Sequence, residues 1–373
     1  MLLSGIFPPI ATPFYSDGEV YYKKLEANVE RYSRTPVAGI VVQGSTGEAI
    51  LLSDQERRDV LKAALAAAAP NKVMIAGTGI ESAHETLRLT EYAAGLGYDA
   101  AMVRTPHYYK KQMSPANLLA FYRTVADRSA LPIIIYNFPQ ATGYDIPAEV
   151  VIELANHPNL LAIKESSGNL DKVKAMVDAT RHVKRQATVT ETFEAVTPRM
   201  IKASTAESEK QSGELVSVAS LAGTAESMER RASSPVYDAV ATKPSSSAVT
   251  VIGKLKTRQK EVGFQVMVGA AHQLEPSLGL GAVGAILAFA CPAPMACYEI
   301  FAALKDGDNA LAREKQDRVK VAVQRVVGDL GVPGVKYAMD LNGYYGGPSR
   351  LPFLPLNGEQ KAEIEKLMAG IKS

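Results

Sequence analysis

A lysine closes a short apolar run, Leu160-Leu161-Ala162-Ile163-Lys164, and the polar turn Glu165-Ser166-Ser167-Gly168 follows directly. A short apolar run bounded by turn residues reads as a buried strand. A charged amine held dry at the exit of such a strand is costly, and burial lowers its pKa. A neutral amine is a nucleophile that condenses with carbonyls to a Schiff base. The competing reading is a lysine that snorkels from the strand end to water.

Other residues supply what Schiff-base chemistry needs. In Gly44-Ser45-Thr46-Gly47-Glu48 two glycines flank two hydroxyls, so N–H and O–H groups can converge on an anion. No lysine follows as in a P-loop, so a small carboxylate fits better than a polyphosphate. The alternative is an ordinary glycine turn ahead of a helix. Tyr136, in Ile135-Tyr136-Asn137-Phe138-Pro139, carries a hydroxyl that both donates and accepts, as a proton relay requires. A packing tyrosine with a satisfied hydroxyl is the bland reading. Tyr108 and Tyr109, after Thr105-Pro106-His107, carry the same ambiguity.

Several chemistries lack their motifs. The histidines at 84, 107, 157, 182 and 272 show no HExxH or other metal spacing, and no GxSxG occurs. Gly279-Leu280-Gly281-Ala282-Val283-Gly284 matches GxGxxG but precedes an apolar strand instead of joining strand to helix, so it reads as turn and packing glycine.

Eight apolar runs can position these groups: Gly5–Phe14, Gly39–Gly44, Val73–Gly79, Ala100–Pro106, Pro132–Pro139, Leu160–Ser166, Gln265–Ala271 and Val283–Ala290. Most are continuous, as in parallel strands buried on both faces. Helical patterns lie between them. Ser53-Asp54-Gln55-Glu56 opens one, Ser82-Ala83-His84-Glu85 is a capping box for the next, and Ser114-Pro115 places proline at a first helical position. Alternating strands and helices predict a (β/α)8 TIM barrel, with chemistry on the loops after the strand C-termini. Lys164 falls on that face.

Two regions exceed eight even units. Residues 184–262 are rich in Ser, Thr, Ala, Glu and Lys, with weak helical patterns near 206–231. They predict a low-complexity, flexible insert before strand seven, on the barrel face opposite the chemistry. After Pro292, helical patterns at Ala293–Lys305, Asn309–Val327, Val335–Leu341 and Gly358–Ile371 predict a C-terminal helical extension. The expected division is a barrel over 1–292, interrupted by 184–262, and a helical domain over 293–373.

Totals bound the function. With 373 residues, 47% hydrophobic, the chain can bury a large core, and a net charge of +2 gives no case for nucleic acid or an anionic membrane. Two cysteines, Cys291 and Cys297, make no disulfide framework, and the opening residues show no leader pattern, so a cytoplasmic protein is expected. The uncharged stretch from Pro276 to Tyr298 is long enough to span a bilayer, but Pro292 and Pro294 interrupt it, and a buried strand entering a helix explains it better.

Together the motifs resemble the family of dihydrodipicolinate synthase and N-acetylneuraminate lyase, and within it the 4-hydroxy-2-oxoglutarate aldolases. The resemblance rests on Gly5–Phe14, Gly44–Glu48, Thr105–Tyr109, Tyr136–Pro139, Ile163–Ser166 and Gly343-Tyr344-Tyr345-Gly346-Gly347-Pro348. It covers residues 2–183 and 263–370 and leaves the insert outside. It implies a homotetrameric class I pyruvate-dependent aldolase with no separate cofactor, the chemistry running through a covalent imine on Lys164. Ser45, Thr46, Gly47 and Ser166 would bind the 2-oxo acid, Tyr136 would move protons, and Tyr108 would complete the relay, often at a neighbouring subunit's site. One departure bears on substrate. Dihydrodipicolinate synthases usually carry an arginine two residues after the proline of the Tyr-Asn-x-Pro motif, and here that residue is Ala141. Without a guanidinium, bidentate capture of a second carboxylate is lost. The expected substrates are therefore 4-hydroxy-2-oxoglutarate or a 2-keto-3-deoxy sugar acid. Dihydrodipicolinate synthase, a keto-deoxy acid dehydratase and a non-catalytic 2-oxo acid-binding barrel are the alternatives.

Overall fold

The computed structural model describes residues 1–212 and 249–371. Six parallel strands come first: β1 (Gly5–Phe7), β2 (Gly39–Val42), β3 (Val73–Gly77), β4 (Ala100–Arg104), β5 (Ile133–Asn137) and β6 (Leu160–Glu165). An antiparallel group follows, β7 (Arg185–Thr190), β8 (Thr250–Ile252) and β9 (Leu255–Val262). The barrel resumes with β10 (Gln265–Val268) and β11 (Gly284–Ile286). The eight parallel strands lie in the order β1-β11-β10-β6-β5-β4-β3-β2, and a parallel bridge from Pro9 to Val41 brings the two ends together. This is the expected (β/α)8 barrel.

Alternation along each strand sorts the side chains. Phe7, Val41, Ile75, Met102, Ile134 and Ala162 pack together inside the barrel. Their strand neighbours Ile6, Ile40, Met74, Val103, Ile135 and Ile163 join the larger core under the helices. Lys164 is two residues beyond Ala162, and Tyr136 two beyond Ile134. Both therefore point inward at the C-terminal mouth.

Local signals start the surrounding helices. Ser53 and Glu56 form a reciprocal capping box for helix Asp54–Ala67. The Ser82 and Ser114 hydroxyls accept from the N–H groups of Glu85 and Asn117. The C-terminal extension contains helices Pro294–Lys305, Asn309–Val323, Gly331–Leu341 and Gly358–Met368. A π turn, Gln324–Asp329, ends the second of these earlier than the pattern predicts. The third begins before Val335, because Pro333 sits in its first turn, where a missing N–H does no harm. The uncharged stretch 276–298 is divided among a short helix, β11 and the start of a later helix, and no helix among the described residues is long and apolar enough to cross a membrane.

The described flanks of the insert, 184–212 and 249–262, are folded where a flexible loop is expected, and residues 213–248 lie outside the described residues. The two flanks pair with each other, Arg185 opposite Val262 through Thr190 opposite Thr257. Ala187, Val189 and Val262 are buried with Leu2. Each flank alternates apolar and polar residues only weakly. Pairing is what makes one sheet face apolar, and that pairing is long-range in sequence. The Arg185 guanidinium donates to the carbonyls of Leu160, Ala155 and His157, which fixes the sheet beneath the N-terminal end of β6. Helix Pro198–Ser212 takes up the beginning of the pattern near 206–231, and the remainder of that pattern lies outside the described residues.

Candidate active site

Lys164 and Tyr136 are register partners on adjacent strands β6 and β5. Lys164 is 4% exposed, and its Nζ lies 4.0 Å from the centroid of the Tyr136 ring. Burial pulls the ammonium down to about 7. A large fraction of the amine is then neutral near physiological pH, as a nucleophile requires.

The Tyr136 hydroxyl and Ser45 Oγ are hydrogen-bonded at 3.1 Å. Burial pushes the phenol up to about 12, with Ser45 opposing the shift, so the hydroxyl keeps its proton at rest. Around Ser45 the chain makes a tight turn. Gly47 N–H donates to Gly44 O and Glu48 N–H to Ser45 O. Among the described residues the N–H groups of Ser45 and Thr46 have no protein partner. Two N–H groups without a protein partner and two hydroxyls thus share one turn, joined through Ser45 Oγ to the tyrosine that Lys164 faces, an arrangement suited to one carboxylate. The Thr12 hydroxyl anchors the turn by donating to Gly47 O at 2.7 Å.

Ser166 is 8% exposed, and its buried Oγ has no hydrogen-bond partner among the described residues. It faces Gly269, just past β10. A Cβ at 269 would lie 1.9 Å from Ser166 Oγ and 3.1 Å from Lys164 Cε. Glycine there makes room for both side chains, and the sequence signal was only its place at the end of a strand.

Beneath the mouth, Asn137 Nδ2 donates to Asp145 at 2.7 Å and to Glu165 at 2.9 and 3.0 Å. Lys172 pairs with Asp145, and with Glu165 at 3.1 Å. This buried network holds the two residues that follow Tyr136 and Lys164, and so aims both side chains. The loop after β4 is fixed by Glu81, which accepts from Arg104 at 2.8 Å and from the N–H groups of His107 and Tyr108 at 2.9 and 3.1 Å.

Tyr108 is placed differently from the other candidates. Its ring is 75% exposed and meets Tyr109 edge-on at 5.0 Å. A single chain brings together Ser45, Tyr136 and Lys164 and leaves Tyr108 at the surface of the mouth. No group of three or more His, Cys, Asp or Glu among the described residues could hold a metal ion.

A barrel with this lysine-centred mouth is the architecture of a carbon–carbon lyase that works through a Schiff base. The chain belongs to the dihydrodipicolinate synthetase family, whose model matches residues 2–206 and 225–371. The match reaches into the insert, beyond the 2–183 and 263–370 over which the motifs recur. Among curated relatives, a 4-hydroxy-tetrahydrodipicolinate synthase of Methanothrix thermoacetophila is 27% identical over 98% of this chain and 96% of its own length. One of Xanthomonas campestris is 41% identical over 48% of this chain and 58% of its own length. Among solved structures, a chloride-inhibited dihydrodipicolinate synthase from Acinetobacter baumannii complexed with pyruvate matches with a TM-score of 0.73, 26% identity and 99% coverage of both chains. A prophage protein of E. coli K12 from the same family, also in complex with pyruvate, matches with a TM-score of 0.72 and 23% identity over 100% of this chain and 99% of its own.

Proposed function

We propose that the chain is a class I aldolase that forms a Schiff base between Lys164 and pyruvate or another small 2-oxo acid. The observation that carries this is the buried Lys164 amine, lowered to about 7 and facing Tyr136 at 4.0 Å. In the cleavage direction the neutral amine attacks the C2 carbonyl, and loss of water leaves a protonated imine. That imine is an electron sink. Tyr136 gives its proton to the hydroxyl that leaves as water in that dehydration; the phenolate so formed takes the proton of the C4 hydroxyl, the C3–C4 bond breaks, and its electrons flow into an enamine. Protonation at C3 and hydrolysis release pyruvate and restore the lysine. Ser45 and Thr46 hold the carboxylate, and Ser166 Oγ is free to bind a substrate oxygen. The covalent imine is the only prosthetic chemistry this sequence of steps uses.

For the aldehyde side we favour 4-hydroxy-2-oxoglutarate or a 2-keto-3-deoxy acid. Ala141 supplies no guanidinium. The cation against the same turn is Lys110, whose Nζ would lie 2.8 Å from a Cβ placed on Gly143. An ammonium there offers a point charge to a second carboxylate without the fork geometry of arginine. The second reading is condensation of pyruvate with aspartate semialdehyde, favoured by the names of the curated relatives. Side-by-side assays separate them: faster cleavage of 4-hydroxy-2-oxoglutarate than condensation with aspartate semialdehyde supports the first, and the reverse order supports the second. A homotetramer is part of the proposal, because the exposed Tyr108 and Tyr109 suit a subunit contact at the mouth.

A further inference from the structure

Glu48 ends the Gly-Ser-Thr-Gly turn in the left-handed region, at φ 53°. L residues other than glycine, asparagine and aspartate rarely adopt it, and they persist there only where surrounding contacts hold them. Here the contacts come from the far end of the chain. The Glu48 carboxylate is fully buried and pairs with the Lys336 ammonium at 2.5 Å. Lys336, on helix Gly331–Leu341, is 1% exposed. Its Nζ also donates to Pro348 O at 2.8 Å and lies 4.4 Å from the centroid of the Phe14 ring. The second Glu48 oxygen accepts the Arg350 N–H at 2.8 Å. A Cβ at Gly346 would sit 1.9 Å from Lys336 O, so the Gly-Tyr-Tyr-Gly-Gly-Pro loop packs directly on the helix that carries the lysine.

We propose that Lys336 is a positioning residue for 2-oxo acid binding. Through Glu48 it sets the backbone that turns the Ser45 and Thr46 N–H and hydroxyl groups toward the substrate carboxylate. The C-terminal extension is in this sense part of the carboxylate site. The inference rests on the proposed binding of a 2-oxo acid at that turn. A buried charge is strongly destabilising when its partner is removed, so the pair acts as one unit.

The test compares Lys336→Met with Met339→Ala, which removes a buried apolar side chain from the same helix without touching Glu48. Pyruvate affinity is read by calorimetry and imine formation by borohydride trapping. The expected result is a tenfold or greater loss of pyruvate affinity in Lys336→Met, with trapping restored at saturating pyruvate. Met339→Ala should lower Tm and keep affinity within twofold. If Lys336→Met does not fold, Glu48→Gln keeps the shape and leaves Lys336 its Pro348 carbonyl; it should weaken pyruvate binding at least threefold. Unchanged affinity in Lys336→Met or, failing that, in Glu48→Gln overturns the proposal, as does an equal loss in Met339→Ala. A wild-type protein that binds pyruvate but traps no adduct refutes the Schiff-base reading alone, and the affinities still decide the role of Lys336.

Discussion

Lys164 and Tyr136 are paired across β6 and β5, and the amine faces the ring of its partner at 4.0 Å. An apolar ring face on one side and a barrel interior below leave the ammonium poorly solvated. That environment costs folding free energy and makes the amine reactive.

The cost is measurable. The lysine is lowered from 10.5 to about 7 in the fold, so between those values the unfolded chain binds the extra proton. Stability therefore rises with pH across that window, and the full penalty is felt below about pH 7. At about 1.36 kcal/mol per pH unit the penalty is up to roughly 5 kcal/mol. Lys164→Met should unfold at a higher Tm than wild type at pH 7, with the gain shrinking toward pH 10. Thermal melts of both proteins across this range check the prediction.

Tyr136→Phe removes the proposed proton carrier and keeps the ring. Turnover should fall by roughly 10²–10⁴, the usual worth of a positioned acid–base group. Covalent trapping of pyruvate should survive better than turnover. Equal loss in both would mean that the tyrosine serves only to shape the pocket.

Gly269→Ala puts a methyl onto the place of Ser166 Oγ and within 3.1 Å of Lys164 Cε. Imine formation should drop at least tenfold while circular dichroism stays that of the wild type. A fully active Gly269→Ala protein would show that neither side chain is held as tightly as this packing implies.

Ala141→Arg restores a guanidinium to the turn after β5. The ratio of aspartate semialdehyde condensation to 4-hydroxy-2-oxoglutarate cleavage should rise by about an order of magnitude, the worth of one charged hydrogen bond to a carboxylate. Steady-state rates on both substrates give the ratio directly.

The eight barrel strands were legible because a strand buried on both faces is a continuous apolar run, whatever its partners. Lys164, Tyr136 and Ser45 could be singled out as candidates because each stands at or just past the C-terminal end of such a run, where a barrel opens. Long-range relations were not. Arg350 and Glu48 are 302 residues apart in sequence, and nothing local to either announces the contact. The β7–β9 sheet was read as loose chain for the same reason, since its apolar face exists only once the flanks pair. Gly269 carries meaning only as a distance to two side chains on β6 and the loop after it. Tyr108 was ambiguous in the sequence and took its role only from the family resemblance, and local sequence does not encode its exposed place in a single chain.

The most direct measurement incubates the protein with pyruvate, reduces it with borohydride and maps the modified peptide by mass spectrometry, alongside Lys164→Ala. A single reduced pyruvate adduct on Lys164, absent from the variant together with all aldolase activity, is the predicted result. An adduct on another lysine, or aldol cleavage that persists in Lys164→Ala, would contradict the account.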